Sequence, residues 1–577
     1  MKSLTSNKTF WLLLLICILT IIPFLGLYDY NTKGEPRESI VSYTMLETGN
    51  WILPRNNGGE MAYKPPFFHW CVAGVSAING KVTEMTSRVP SAVAFIILVM
   101  VTFAFYLKRK GQKVAFISAL LMLGCLELAR ASCNCRVDMV LTMLTVCALY
   151  CFYEWYERNL RGIPWLAIIL MSLGTLTKGP VGAIIPCLVT GIFLLIRGVK
   201  FYKAFFLLLL FGIMSLVLPA MWYVAAYHQG GQAFLDLMYE ENIGRMTNTM
   251  SYDSCVNPWP YNILTLIVGY LPWTLLVIIS LFGLSYHKFS GGTSILWHRF
   301  VAWIKNMEPL DLFSFAAIVI IFVFYCIPQS KRSVYLMPMY PFMAYFLARY
   351  IMWLTAKRSK IIIVYGGIIS IIGIMLFATF IVVKCGLIPD TIFHGRHAIQ
   401  NIAILHAIEN VSGLLAWTCA LIPTALCVYW WKYIGNHKIG DGHIYGMLAM
   451  VITVFLAVNV SYKPGILNAK SSKPIALQID KLAPQSQGKL YEYIEGGVTA
   501  KGDPVHFFEL NFYLGNRIGS FYHEQPSSGF LIISDDDARN DLGQYVKKGY
   551  HFELRHQLLN KANGQTLFLY HFLREKV

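Results

Sequence analysis

The chain has 577 residues, 56% of them hydrophobic and only 14% charged, with a formal net charge of +17. So few charges cannot cover the surface of a soluble protein this large, which excludes a soluble enzyme and implies a polytopic membrane protein. The basic residues stand in short clusters between apolar runs, a pattern of membrane topology and anionic-lipid contact rather than of nucleic-acid binding.

A span needs roughly 20 apolar residues. Thirteen segments meet that demand, near 9–27, 90–107, 114–130, 137–157, 162–177, 180–196, 204–226, 260–286, 311–328, 334–354, 361–384, 409–431 and 444–460. The first lacks a small-residue cleavage site and reads as an uncleaved span. "TLTKGPVG" closely interrupts the fifth and sixth, and Phe67–Ile78 is too short to cross and reads as interfacial. With the N-terminus inside, every short inside connection carries at least two Lys or Arg, from Lys2 and Lys8, through Lys108, Arg109, Lys110 and Lys113, to Lys432 and Lys438. That regularity is the positive-inside signature, and thirteen spans then place the C-terminus outside.

Three outside segments follow from this count: the loop 28–89, the loop 227–259 and the tail from Ser461 to Val577. The tail reads as a small α/β domain. "LYEYIE", "GFLIIS", "HFELRH" and "TLFLYHF" have strand character, with helices near 474–483 and 535–547. Residues 1–460 thus form the membrane domain and 461–577 the outer domain.

The polar residues of the outside segments are the candidates for function. Glu35 and Glu38 share one face of an amphipathic helix expected over 35–48, with Pro36 in its first turn. Arg37, Arg55, Lys64 and Arg88 share the same loop, and outside cations gain nothing from the positive-inside rule. They need an anion, and a lipid phosphate suits that depth. Lys331, Arg332 and Tyr335 in "QSKRSVYLMPMYP" pose the same demand, and "EENIGR" adds Glu240, Glu241 and Arg245. Asp138 opens the fourth span, where it either pairs with Arg136 at a helix end or faces a polar cavity. "SDDDARND" at 534–541 reads as a capped helix start rather than a calcium loop. No metal-ligand cluster and no nucleotide-binding glycine motif stands out, so neither metal nor cofactor is expected.

Several stretches occur together and in order: "GEPRESIVSYTMLETGNWILPRNNGG…YKPPFFHW", "TSRVPSA", "RVDMVLT", "TKGPVG", "EENIGR" and "SKRSVYLMPMYP". Together they resemble the bacterial integral-membrane glycosyltransferases, the family of lipid A 4-amino-4-deoxy-L-arabinose transferase, related more distantly to protein O-mannosyltransferases. The likeness covers about residues 1–460, and "NFYLG" at 511–515 extends it into the tail. It implies a GT-C fold and transfer of a sugar from a polyprenyl-phosphate donor to an acceptor at the periplasmic face of the inner membrane. Lipid A, another glycolipid or a protein would be the acceptor, and the enzyme would work as a monomer. The family's first-loop motif reads Asp-Glu-x-Arg, and here Gly34, Glu35, Pro36 and Arg37 occupy those positions. Glu35 is the nearest matching carboxylate and the expected base, and Asp138 matches the second acidic position. By the resemblance Lys64, Arg332 and Tyr335 face the donor phosphate, and Arg37, Arg245 and Lys331 join them as cations and neighbours of the same motifs. The competing classes are a polytopic lipid or saccharide transporter and a membrane scaffold. No internal repeat supports the first, and outside cations on two separate loops do not suit the second.

Overall fold

A computed structural model describes residues 7–56, 59–62, 64–244, 256–284, 293–494, 506–562 and 564–575, the side chains of 293–296 excepted. The chain enters through α1 (Lys8–Ile21), then α2 (Gly34–Thr48), a two-strand ribbon of β1 (Arg55–Asn56) and β2 (Glu60–Met61), and α3 (Phe67–Asn79). Next come α4 (Glu84–Lys110), α5 (Gln112–Leu123), α6 (Leu126–Ser132), α7 (Val137–Glu157), α8 (Trp165–Lys178) and α9 (Val181–Ile196). They are followed by α10 (Phe201–Ser215), α11 (Val217–Tyr239), α12 (Tyr261–Gly269), α13 (Trp273–Gly283), α14 (Thr293–Asn306) and α15 (Pro309–Cys326). The helical part closes with α16 (Tyr340–Lys357), α17 (Ser359–Lys384), α18 (Ala398–Glu409), α19 (Leu414–Asn436) and α20 (Asp441–Ala457).

Each of the thirteen predicted segments overlaps one of these helices. Among the described residues, seven helical runs are long and apolar enough to cross a membrane, and nine if each bent pair counts as one span. The bent pairs are α5–α6, at 68°, and α12–α13, at 96°. α1, α3, α8 and α9 are apolar but shorter. Four helices of this part, α2, α3, α14 and α18, lie where hydropathy shows no span. The chain is a multi-span membrane protein.

Local chemistry sets the elements that matter for the site. α2 ends at Gly49, whose φ of +70° is left-handed and whose N–H caps the carbonyl of Met45 at 3.0 Å. α4 begins with a reciprocal cap: the Thr86 N–H donates to the Thr83 hydroxyl at 3.2 Å, and the Thr83 N–H donates to Thr86 Oγ1 at 2.9 Å. α8 and α9 turn at Gly179 and Pro180 and then touch backbone to backbone. A Cβ on Gly182 would stand 2.3 Å from the carbonyl carbon of Gly174, so only glycine allows this approach.

After α20, a π turn at Val458–Tyr462 leads to α21 (Lys463–Lys470) and α22 (Lys473–Leu482). The tail then forms a five-stranded mixed sheet of β3 (Leu490–Tyr493), β4 (Ile518–Ser520), β5 (Ser528–Ser534), β6 (Tyr550–Asn560) and β7 (Gln565–Arg574), in the order β4-β3-β5-β7-β6. β3 runs parallel to both neighbours, and β5, β7 and β6 run antiparallel. α23 (Phe508–Tyr513) and α24 (Phe521–Glu524) precede α25 (Asp535–Val546). Ser534 caps α25 by accepting from the Asp537 N–H at 3.1 Å, as "SDDDARND" implies.

The tail is docked on the segment between α1 and α4. The Tyr30 N–H donates to the Tyr513 hydroxyl at 2.8 Å, and that hydroxyl donates to Glu84 at 3.1 Å. Lys473 bridges Asp29 at 2.8 Å and Glu84 at 3.0 Å. His506 joins Glu492 of β3 to Glu60 of β2, the latter at 3.0 Å. Burial disfavours its charge, but the two carboxylates outweigh burial and lift its pKa to about 9. A histidine pKa raised above its usual 6.5 gives stability that is complete below that pH and lost as pH climbs through about 9. Thermal unfolding of the tail is therefore expected to fall over that window, and His506→Gln, which cannot titrate there, is expected to flatten the profile. An unchanged profile in the variant would show that His506 does not tie the tail to the loop.

Candidate active site

Two carboxylates of α2 lie one helical turn apart and have different fates. Glu35 faces α4. Arg88 donates to it twice, Nε to Oε1 at 2.9 Å and Nη2 to Oε2 at 3.1 Å, and the Cys135 N–H donates to Oε1 at 2.8 Å. The remaining Nη1 of Arg88 donates to the carbonyls of Leu25 and Tyr28, at 2.8 and 2.7 Å. Arg88 is fully buried. This fork-to-fork pair is a closed brace joining α1, α2, α4 and the turn before α7. Both oxygens of Glu35 are engaged, which corrects the expectation that it takes a proton from substrate. The same region accommodates Gly34, which stands where the resemblance puts an Asp. A Cβ on Gly34 would stand 1.8 Å from Nη2 of Arg136, so the Arg136 guanidinium fills the space a side chain would need.

Glu38, on the same flank of α2, reaches the segment before α3 and α3 itself. Lys64 and His69 hydrogen-bond its two oxygens, Lys64 on Oε1 and His69 Nε2 on Oε2 at 3.0 Å, and Arg37 lies 3.6 Å from Oε1. Burial raises the Glu38 carboxyl, but Lys64, His69 and Arg37 outweigh it and hold it well below the usual carboxylate range. Burial draws the Lys64 ammonium down to about 8 against the pull of Glu38, so the pair is charged at neutral pH. The prolines before α3 fix the approach of Lys64, since Pro65 and Pro66 restrict the backbone there. Arg37, Glu38, Asn56, Lys64 and His69 line a small cleft, with Val41 and Ala62 on its apolar side.

Asp138 stands in the first turn of α7 and Lys178 in the last turn of α8, the ends at which a helix favours an anion and a cation. They form a direct ion pair. Of the two readings of Asp138, the direct pair with Arg136 is not formed: Lys178 is its partner, and Arg136 lodges over Gly34. The Lys178 ammonium also lies 4.1 Å above the ring of Tyr335, which packs against Tyr325 at 5.3 Å. The charge of Asp138 acts on Lys64, so the two ion pairs are neighbours.

Of the residues expected from the sequence, Arg37 and Lys64 come together on Glu38, and Asp138 and Tyr335 meet through Lys178. Lys331 does not join them. It is buried, and its ammonium donates to the carbonyl of Asn257 at 3.1 Å while the Asn257 amide returns a bond to its own carbonyl at 3.1 Å. This corrects its assignment to the donor phosphate. Arg332 is partly buried at the cap of the 3₁₀ turn Ser333–Met339 that carries Tyr335. Glu240 and Glu241 continue the α11 run in a π turn, and Arg245 lies outside the described residues. Sequence reasoning missed Lys178, His69 and Asn56. The signal for Lys178 was present, because a lysine between two apolar runs carries the same cost that marked Asp138. Among the described residues no group of three His, Cys, Asp or Glu is placed to hold a metal.

Comparison with known proteins gives the following. A family model described as dolichyl-phosphate-mannose-protein mannosyltransferase matches residues 63–223. An uncharacterized protein of Aquifex aeolicus is 28% identical over 357 residues, which is 59% of this chain and 65% of that one. A Proteus mirabilis protein named undecaprenyl phosphate-alpha-4-amino-4-deoxy-L-arabinose arabinosyl transferase 2 is 21% identical over 61% of each chain. The match therefore spans between three fifths and two thirds of these two relatives' length. The crystal structure of ArnT from Cupriavidus metallidurans bound to undecaprenyl phosphate superposes with a TM-score of 0.70 at 18% identity, covering 98% of both chains. The fold is thus the GT-C fold of ArnT, with a membrane helical part and a small C-terminal sheet domain.

Breaking a buried ion pair by removing one partner costs about 3–5 kcal/mol. Arg88→Met and Glu35→Gln are accordingly expected to lower the melting temperature and the yield of folded protein. A Glu35→Gln enzyme that melts like wild type but fails to turn over would return Glu35 to the chemistry.

Proposed function

We propose that this chain, an ArnT-like protein of the GT-C superfamily, moves a sugar from a polyprenyl-phosphate donor to a lipid acceptor, with lipid A as the acceptor and an aminoarabinose as the sugar. The observation that carries the reading is the pair of neighbouring ammonium–carboxylate contacts, Lys64–Glu38 and Lys178–Asp138, set side by side where α2, α3, α7 and α8 meet. The Proteus relative is named as such a transferase, and the Cupriavidus protein of this fold binds undecaprenyl phosphate. In this reading 1–460 is the transferase domain, 461–577 a periplasmic domain, and the enzyme a monomer of the inner membrane.

The chemistry follows from the charges. An arriving phosphate competes with the carboxylates for Lys64, Arg37 and Lys178. Taking those cations neutralises the leaving group and frees a carboxylate in the same step. The acceptor oxygen attacks the anomeric carbon, and the bond from that carbon to the phosphate oxygen breaks with its electron pair. The polyprenyl phosphate leaves as an anion held by the lysines. Asp138, released from Lys178, takes the acceptor proton or orients an acceptor already ionised. Tyr335 holds Lys178 from the far side through its ring.

Three outcomes test this. Lys64→Ala is expected to lose a charge-assisted bond of about 1.5–3 kcal/mol and so to raise the donor KM on the order of 10- to 100-fold; wild-type kinetics at limiting donor would remove Lys64 from the site. Asp138→Asn is expected to lower kcat by roughly 10²-fold or more with the donor KM little changed; full activity would pass the role to Glu38. With thirteen spans and an inside N-terminus, alkaline phosphatase fused to the C-terminus is expected to be active in cells, and a dark phosphatase with a bright fluorescent fusion would reverse the topology.

A further inference from the structure

The cavity beside Glu38 contains two polar atoms whose hydrogen-bonding capacity is unspent. Asn56 is 3% exposed and its Oδ1 has no partner. His69 is 1% exposed and its Nδ1 has none either. Such orphans are uncommon in folded proteins, because each costs about 1–3 kcal/mol of unrecovered desolvation. Both side chains line the same small cleft as Arg37 and Lys64.

Their chemistry is complementary to that of the cations. The ionised Glu38 accepts from His69 Nε2–H, and with the imidazole neutral the lone pair lies on Nδ1. Asn56 Oδ1 is likewise an acceptor. The cavity therefore offers two neutral acceptors next to two cations. A bare phosphate satisfies the cations and leaves the acceptors empty. A phosphate that carries a group bearing O–H or N–H donors satisfies both.

Resting on the reading above, we infer that Asn56 and His69 are specificity residues that read the sugar of the donor, each accepting a hydrogen bond from a hydroxyl or amine on the ring while Lys64 and Arg37 hold the phosphate. Glu38 acts as a positioning residue that fixes the His69 tautomer. The ribbon and α3 thus carry the sugar half of the donor site, and α7 and α8 carry the groups that act on the acceptor. A site whose buried acceptors need partners discriminates strongly against a ligand that lacks them.

The test compares two probes on detergent-solubilised full-length protein: undecaprenyl phosphate, and undecaprenyl phosphate carrying 4-amino-4-deoxy-L-arabinose. Wild type is expected to bind the glycosylated probe at least tenfold more tightly than the bare one. Asn56→Leu, which keeps the shape, and His69→Phe are each expected to erase most of that ratio, weakening the glycosylated probe at least fivefold more than the bare one. His69→Gln, which retains an acceptor, is expected to recover part of it. If the variants weaken both probes equally, or weaken neither, or if wild type holds both probes alike, the inference is overturned. If wild type binds neither probe, the donor reading of the whole site falls with it, which separates the two failures.

Discussion

A charge set among apolar helices must be matched before the helices can pack around it, because burying a lone ion costs several kcal/mol even after relaxation. This constraint organises the molecule. Arg88 is fully buried and spends its donors on Glu35 and on the carbonyls of Leu25 and Tyr28. That single guanidinium ties the end of α1, the start of α2 and the body of α4 to the turn before α7. Glu35 and Glu38 lie three residues apart on one flank of α2, and they part only in their partners: Arg88 takes the first, while Lys64 and His69 take the second.

The tail continues the same logic. Lys473, Tyr513 and His506 place their polar ends on Asp29, Glu84 and Glu60, all in or beside the loop that carries the site. The β1–β2 ribbon, which presents Asn56 to the cavity, would be a marginal two-strand hairpin alone. The contact from β3 through His506 braces it. A domain far along the chain thereby helps hold the wall of the proposed site in the first loop, and this gives a physical reason for the tail to accompany the membrane part.

Much of this was legible in the sequence. Apolar length placed a helix on each of the thirteen predicted segments, and the alternation in the tail found four of its five sheet strands. The cost of outside cations and of Asp138 singled out residues that the fold brings into ion pairs: Arg37 and Lys64 with Glu38, and Asp138 with Lys178. What the sequence left open was partnership. Glu35 and Glu38 differ by one turn of helix, and only packing against Arg88 decides which is locked and which faces the cavity. Asp138 has Arg136 two residues away, yet its partner is Lys178, 40 positions on, because α7 and α8 bring an N-terminus and a C-terminus together. Lys331 shares a motif with Tyr335, but its ammonium is spent on the backbone carbonyl of Asn257, 74 positions earlier. β4 was missed because three residues carry too little pattern. Asn56 and His69 carry no local signal, since an unspent acceptor is visible only when every neighbour is in place.

The central claim is that the donor phosphate displaces carboxylates from lysines that already wait on them. A structure of the protein with undecaprenyl phosphate bound measures this directly. The account predicts the phosphate within hydrogen-bond reach of Lys64 Nζ, Glu38 no longer sharing that ammonium, and Asp138 opened from Lys178. A phosphate bound elsewhere, with Lys64 still on Glu38 and Lys178 still on Asp138, would contradict it.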